Sequence, residues 1–343
     1  MSKKVIEKRV ESFRKYLVTI LGRDVSIKRK LIILRSDMLQ LFLRPSRAHL
    51  ALIKHDQIIT FNALRSNFSN IYHKLKKYNI AQFTMPFWEN YNAKLEKVFL
   101  PYPPFSFLKD PIIRSTMFVT RGGKFLREEL TFLEKKISKN KLKSLLQEDY
   151  VGDPLLSNST YLASHNNIHN LYHLIRFLDK TKCSLNQIDT ICEWGSGYGN
   201  LAKIFKRLKS APSTYIIFDT PLFSCIQWLY LATILGKESV NLLQNPEDTI
   251  HAEKINLISI CFLDYHKISA NLFISTWGLS DSSKHSQDYV ITHEWFNSKH
   301  ILLAYQDSNN NFPDADRVGK FAANIGAVIE DIEFLPGHHY AFC

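Results

Sequence analysis

Ile188-Asp189-Thr190-Ile191-Cys192-Glu193-Trp194-Gly195-Ser196-Gly197-Tyr198-Gly199, continued by Asn200-Leu201-Ala202-Lys203-Ile204-Phe205, is the stretch that decides the fold. An apolar run reads as a buried strand, a glycine-rich elbow follows, and apolar residues at 201, 204, 205 and 208 then recur at helical spacing. Strand, glycine turn and helix in this order suit a nucleotide-like ligand. Glycine tolerates positive φ, and its missing Cβ lets the ligand approach the main chain at the strand's carboxyl end. Ser213-Thr214-Tyr215-Ile216-Ile217-Phe218-Asp219 reads as a second strand ending in a carboxylate twenty positions after Gly199. A bidentate acceptor for adjacent ribose hydroxyls belongs at that distance, which makes Asp219 the expected ribose anchor.

The spacing also separates cofactor classes. A dinucleotide fingerprint is G-x-G-x-x-G, with the helix amino terminus facing a pyrophosphate. Here the third glycine follows the second by two residues, Asn200 stands where the fingerprint glycine would be, and Glu193 precedes the first glycine by two. A carboxylate is unfavourable beside a pyrophosphate and favourable beside the ammonium and sulfonium of S-adenosylmethionine. Glu193 thus turns the reading toward a methyl donor, cradled by Gly195, Ser196, Gly197, Tyr198 and Gly199.

These residues resemble motif I (ExGxGxG) and motif II of the class I S-adenosylmethionine-dependent methyltransferases. Four further stretches are similar to the sugar O-methyltransferase family of bacterial polysaccharide clusters: Tyr150-Val151-Gly152-Asp153-Pro154, the helix Asn167 to Ile175, the turn Phe218-Asp219-Thr220-Pro221, and Asn271 to Asp281. The similarity covers roughly residues 105 to 343. It implies a Rossmann-like α/β fold with a seven-stranded sheet, whose last two strands form a hairpin that makes one strand antiparallel. It also implies S-adenosylmethionine as cofactor and a sugar hydroxyl, on a nucleotide sugar or a surface polysaccharide, as acceptor.

At 343 residues, 45% of them apolar, the chain is long enough for two domains or for one with a large extension. Its charge is uneven. Residues 1–150 carry 30 Lys+Arg against 13 Asp+Glu, a balance of +17, and residues 151–343 carry 14 against 19, a balance of −5. We therefore expect a basic, mainly helical N-terminal region (1–150) and a donor-binding methyltransferase domain (151–343). The cysteines at 183, 192, 225, 261 and 343 form no C-x-x-C pair and read as reduced residues of a cytoplasmic protein. Charges interrupt every apolar run near the amino terminus, and no run approaches the ~20 residues of a spanning helix. The expected location is cytoplasmic, at most peripheral at the inner membrane face.

Along the first region, Ile6, Val10, Phe13, Leu17 and Ile20 place an amphipathic basic helix at 4–21, suited to an anionic membrane surface or to packing on the protein itself. Further helices are expected at 30–43, 47–54, 58–78 and 124–147. Residues 83–114, rich in aromatics and proline, are expected to be irregular and could line an acceptor groove. Strands are expected near 189–194, 214–219, 255–260, 271–276, 300–305, 327–335 and 338–343, with Val240-Asn241-Leu242-Leu243 competing for the third. Helices are expected near 165–179, 199–209, 221–235, 285–297 and 313–325.

In such sheets ligands lie outside the carboxyl ends of the strands, which brings Thr220, Pro221, Cys261, Phe262, Ser275, Thr276 and Trp277 toward the donor, Cys261 and Phe262 at its adenine. A sugar hydroxyl needs a base to take its proton. The resemblance makes Asp281 the first candidate, although the family carries Glu there and Asp281 could instead cap a helix. His285, His293, His338 and His339 are the alternatives. Asp281, Asp307 and Asn310 could together hold Mg²⁺, but Asp307-Ser308-Asn309-Asn310 reads more simply as a polar turn, so no metal is expected. His165, His169 and His173 share one helical face that is expected to cover the cofactor. Two rival readings stand beside the sugar O-methyltransferase: a nucleic-acid (RNA) methyltransferase using the basic half as a polyanion surface, and a non-catalytic protein that retains the fold.

Overall fold

The computed structural model describes residues 47–117 and 124–343. The helices expected at 4–21 and 30–43 lie outside the described residues. The chain enters with helices α1 (Arg47–Arg65), α2 (Phe68–Leu75), α3 (Pro86–Phe99), α4 (Pro111–Thr116), α5 (Lys124–Lys136) and α6 (Lys139–Leu146). A small hairpin of β1 (Leu156–Asn158) and β2 (Ala163–Ser164) leads into α7 (His165–Thr181), capped by the Ser164 hydroxyl, which accepts from Asn167 N–H.

From there the chain alternates: β3 (Thr190–Trp194), α8 (Asn200–Leu208), β4 (Thr214–Asp219), α9 (Pro221–Leu235), β5 (Val240–Leu242), β6 (Ile255–Ser259) and β7 (Leu272–Thr276). α10 (Lys284–Thr292), β8 (His300–Gln306), α11 (Arg317–Asn324), β9 (Val328–Asp331) and β10 (His338–Phe342) complete it. The sheet order is β5-β6-β4-β3-β7-β8-β10-β9, parallel throughout except for β10, which runs antiparallel to β8 and β9. The fold is thus Rossmann-like α/β, with order reversal at β3 and β7 and the final hairpin in place. One correction concerns strand number. Val240–Leu242 and Ile255–Ser259 do not compete; both form strands, side by side, so the sheet has eight.

Strand alternation assigns the faces. The register pairs Ile191 with Tyr215 and Glu193 with Ile217, so Glu193, Tyr215 and Asp219 share one face, toward α8, where Phe205 packs on the Tyr215 ring. Cys192, Trp194 and Phe218 face the other way, where Phe218 stacks on Phe296. Three further expectations change. Residues 83–114 hold the 14-residue α3, with Pro86 in its first turn. The helix expected at 124–147 breaks at Ser138 into α5 and α6. The one expected at 285–297 stops at Thr292, because Glu294, Trp295, Phe296 and Asn297 all take left-handed φ.

A single apolar core runs through both regions. Phe61, Phe68, Phe99 and Phe107 are fully buried in the same cluster as the sheet residues Ile191, Ile217 and Phe273. No helix among the described residues is long and apolar enough to cross a membrane.

Candidate active site

The elbow after β3 is built as its glycines require. Gly195, Gly197 and Gly199 have φ of +75°, +59° and +91°, the left-handed region that an L side chain occupies only at a cost. The loop is pinned by Gly195 N–H donating to Phe218 O at 2.9 Å and Gly199 N–H donating to Ser196 O at 3.0 Å. At Gly195 a Cβ would lie 2.7 Å from Gly278 Cα, so the loops after β3 and β7 touch backbone to backbone. Ser275 ties them further: its hydroxyl donates to Trp194 O at 3.0 Å and accepts from Leu279 N–H at 2.8 Å. Over Gly197, by contrast, the nearest atom is Met117 Cγ at 3.8 Å, leaving room where the other glycines are crowded.

Two acids lie under this loop. Asp219 accepts from Ser196 N–H at 3.2 Å, Thr220 N–H at 2.8 Å and Gln227 Nε2 at 2.7 Å, and Gln227 also donates to Gly197 O at 3.0 Å. Glu193 accepts from the Tyr215 hydroxyl at 2.8 Å and sits deep beneath the glycines. Burial pushes Glu193 up to about 7 against the Tyr215 and Ser196 hydroxyls, which favour its charge, and neighbouring Asp219 adds to the rise. Burial likewise pushes Asp219 up to about 7, opposed by the Thr220 N–H, the Gln227 amide and the Ser196 N–H. Around them Thr220 Oγ1, Gln227 Oε1 and Asn200 Nδ2 are buried without a hydrogen-bond partner among the described residues. Buried polar groups are normally satisfied, so this ring of unsatisfied atoms marks a place for a polar ligand.

On the acceptor side, Asp281 accepts from Gln306 Nε2 at 2.6 Å and from the Ser280 hydroxyl at 3.0 Å. Burial pushes its carboxyl up to about 6 against those two donors. It does not cap α10: Ser283 does, accepting from Ser286 N–H. Trp88 of α3 donates its indole N–H to Asp281 O at 2.8 Å and lies against Phe223 and Phe312. Phe87 stacks with Tyr91 and meets Phe312 edge-on. The aromatic segment therefore reaches Asp281, as a helix rather than as an irregular strap.

Phe262 is fully buried beneath Tyr78, and Cys261 Sγ donates to the Ser259 hydroxyl at 3.2 Å. Tyr198 is buried edge-on to Tyr230, its hydroxyl accepting from Asn166. Pro221 opens α9, Thr276 ends β7 and Trp277 follows it. His285 is exposed and edge-on to Phe83. His293 follows α10 and stacks on Tyr289, next to the turn whose Phe296 O accepts from Ala270 N–H, at the amino ends of the strands and thus away from the loops. His338 and His339 point to opposite faces. His338 Nδ1 accepts from the Trp277 indole N–H at 2.7 Å, whereas His339 is held between Asp307 at 3.0 Å and Asp331 at 2.8 Å, on the Tyr305 side. That pairing removes His339 from the donor face. Asp281 is bonded to Gln306 and Asp307 to His339, and no group of three or more His, Cys, Asp or Glu able to hold a metal occurs among the described residues. An open cleft of about 500 Å³ between α2 and β5, lined by Asn67, Lys74, Trp228 and Asn241, contains none of the expected residues.

Sequence reasoning missed Gln227, two turns into α9, and Glu129 of α5. Glu129 lies against His169 Nδ1 and 3.4 Å from His165 Nε2. The histidine face of α7 was the available signal for a buried carboxylate partner.

No protein-family model and no curated protein matches the sequence. Among solved structures, the pyocyanin biosynthetic protein PhzM aligns at 10% identity and TM-score 0.33, over 52% of this chain and 56% of that one, little more than half its length. An O-methyltransferase family protein from Burkholderia thailandensis aligns at 12% identity and TM-score 0.33, over 63% of this chain and 70% of its own. Fibrillarin of Aeropyrum pernix with bound S-adenosyl-L-methionine aligns at 13% identity and TM-score 0.31, over 45% and 65%. At these scores the likenesses decide nothing about chemistry, which rests on the residues of the site.

Proposed function

We propose that the chain is an S-adenosylmethionine-dependent O-methyltransferase acting on a hydroxyl of a sugar or nucleotide sugar. The observation that carries the proposal is the cradle after β3: three left-handed glycines, the middle one meeting only Met117 Cγ at van der Waals distance, two buried acids on one face, and unsatisfied polar atoms around them. The residues present fit the donor. Asp219 lies where ribose hydroxyls would be held, exchanging some of its present N–H contacts for them, and Thr220 Oγ1, Gln227 Oε1 and Asn200 Nδ2 supply the further polar contacts. Glu193, buried below the glycines, favours a cationic ligand through its charge.

When bound, the donor supplies a methyl group already activated by a sulfonium. The protein must then hold an acceptor oxygen in line with it and take the hydroxyl proton. Asp281, poised near 6, is a base on the acceptor wall. The half-buried Trp88 ring beside it, backed by the buried Phe223 and Phe312, offers an apolar face of the kind that stacks on sugars, and the Gln306 amide offers a polar contact. Anionic acceptors such as nucleotide sugars also suit the +17 balance of residues 1–150.

Titration calorimetry with S-adenosylhomocysteine tests the donor site, with micromolar binding of one equivalent expected. No heat and no thermal stabilisation at millimolar ligand would overturn the proposal. Methyl transfer from labelled donor to a panel of hexose nucleotides tests the acceptor class.

A further inference from the structure

Glu129, His169 and Trp277 converge beside the donor loop from three separate elements. Glu129 comes from α5 and is 1% exposed, and His169 comes from α7 and is 3% exposed. The Glu129 carboxylate lies against His169 Nδ1, and His169 Nε2 is buried with no hydrogen-bond partner among the described residues. The imidazole stacks on the Trp277 indole at 5.8 Å and 18°. Trp277 itself is left-handed, with φ +66°, a conformation rare for a bulky residue and concentrated at working sites. The next residue is Gly278, whose backbone touches Gly195 of the donor loop. A carboxylate on one ring nitrogen and nothing on the other is the arrangement of an oriented base, because the carboxylate fixes the N–H on Nδ1 and leaves the Nε2 lone pair available.

We infer that Glu129 and His169 form a second proton-accepting pair of this site, with His169 Nε2 taking the proton of the acceptor hydroxyl. The inference deepens the methyltransferase reading and rests on it. In the step, the acceptor oxygen's electron pair forms the new bond to the methyl carbon as the carbon–sulfur bond breaks, its electrons passing to sulfur, which leaves as a neutral thioether. The acceptor proton passes to Nε2, and Glu129 stabilises the imidazolium. The hydroxyl has one proton to give, so the pair replaces Asp281 as its recipient, and Asp281, on the aromatic wall, is left to hold the acceptor through its carboxylate. The Trp277 indole that covers the ring is half-buried. The ionisable groups facing the pair are His165 and His173 on α7, Tyr340 and His338 on β10, and no lysine or arginine contact to the pair is present among the described residues. Burial and the neighbouring His169 keep His173 well below the usual imidazole range, so it stays neutral and does not compete for the proton.

Nitrogen-15 NMR of histidine-labelled full-length protein, saturated with S-adenosylhomocysteine, tests the pair directly. The expected result is His169 with its proton on Nδ1 and a bare Nε2 at neutral pH, and loss of that tautomer preference in Glu129→Gln. A proton on Nε2 of neutral His169 in the unaltered protein overturns the inference, since that nitrogen then has no lone pair to offer. With any hexose nucleotide that accepts label, His169→Gln should lower kcat at least a hundredfold while S-adenosylhomocysteine affinity stays within about twofold. Unchanged kcat overturns the inference even where the tautomer is as expected. If no hexose nucleotide is labelled, the NMR result alone decides. Failure of the unaltered protein to bind S-adenosylhomocysteine is a separate outcome that removes the methyltransferase reading itself.

Discussion

Two buried carboxylates near neutrality, Glu193 and Asp219, are the most informative residues of the molecule, because a charged ligand on the proposed site would decide their protonation. In the ligand-free protein both are driven up to about 7, burial being the largest cause. A donor carrying a sulfonium and an ammonium favours their charged forms, lowers both values on binding and releases protons. Donor affinity should therefore rise by about tenfold between pH 6 and pH 8 and then level, with calorimetry in buffers of different ionisation heat reporting the protons released. Affinity that falls over this range would show that the acids do not face the donor. Folding stability carries the opposite sign. Carboxylates raised in the folded state favour folding fully below their ordinary values near 4, and that contribution is lost as pH rises through about 7. Asp219→Asn should weaken donor binding by roughly tenfold to a hundredfold, the worth of a charge-assisted hydrogen bond, with little change in melting temperature. Asp281→Asn should lower turnover by at least about tenfold while leaving donor affinity unchanged, as expected of a carboxylate that contacts the acceptor and not the donor.

At the scale of the element, the glycines make two different demands that substitution can separate. A Cβ at Gly278 would run into Trp194 O and the Gly195 backbone, where nothing can move aside without parting the two loops. Gly278→Ala should therefore destabilise the fold by several kcal/mol, as overpacking and backbone displacement do, and abolish donor binding with it. Gly197→Ala meets only Met117 Cγ at 3.8 Å and bears chiefly the left-handed strain, about 1–2 kcal/mol. It should fold and yet lose donor affinity, because its new methyl enters the ligand's space. Thermal melts beside calorimetry on both variants check the contrast, and a Gly197→Ala protein that binds normally would place the donor elsewhere. These elements were legible in the sequence because the strands at 190–194, 214–219, 255–259 and 272–276 are largely apolar runs and the elbow has glycine at every second position. The aromatic stretch was not. Pro86 and Pro101 were weighed as breakers of 83–114, but they bracket a helix, one in its first turn and one just past its end. The tie from Gln227 to Asp219, and that from Glu129 to His169, were hidden for another reason: each joins side chains brought together by packing, one between β4 and the helix α9 that follows it and one across 40 positions of chain.

At the scale of the whole molecule, a polar joint ties the described N-terminal helices to the sheet beside the shared apolar core. Lys203 of α8 is fully buried, its ammonium 3.2 Å from Glu148, 3.4 Å from Asp149, and donating to Asn167 at 3.0 Å and Tyr230 at 2.9 Å. Arg207, one turn on, donates to Gln147 O and Asp149, both at 2.7 Å, and Gln57 of α1 accepts from Tyr150 N–H at 2.7 Å. The residues where we divide donor domain from basic region, 150 and 151, thus sit inside a buried network that draws from both sides, and the apolar core crosses with it. The division we propose is accordingly one of role rather than of independent folding. Taking away both acids leaves an ammonium in a site that water does not reach, and breaking a buried pair in this way costs about 3–5 kcal/mol. Glu148→Gln combined with Asp149→Asn should lower the unfolding free energy by that amount and the melting temperature by several degrees, in one cooperative transition. Replacing Lys203 with Met in the same background should recover much of the loss, because the charge that needed a partner is gone. If the doubly substituted protein melts in two steps, the sheet and the helices fold separately after all. A melt unchanged from that of the unaltered chain would mean that the ammonium is solvated from a direction in which the structure shows only protein.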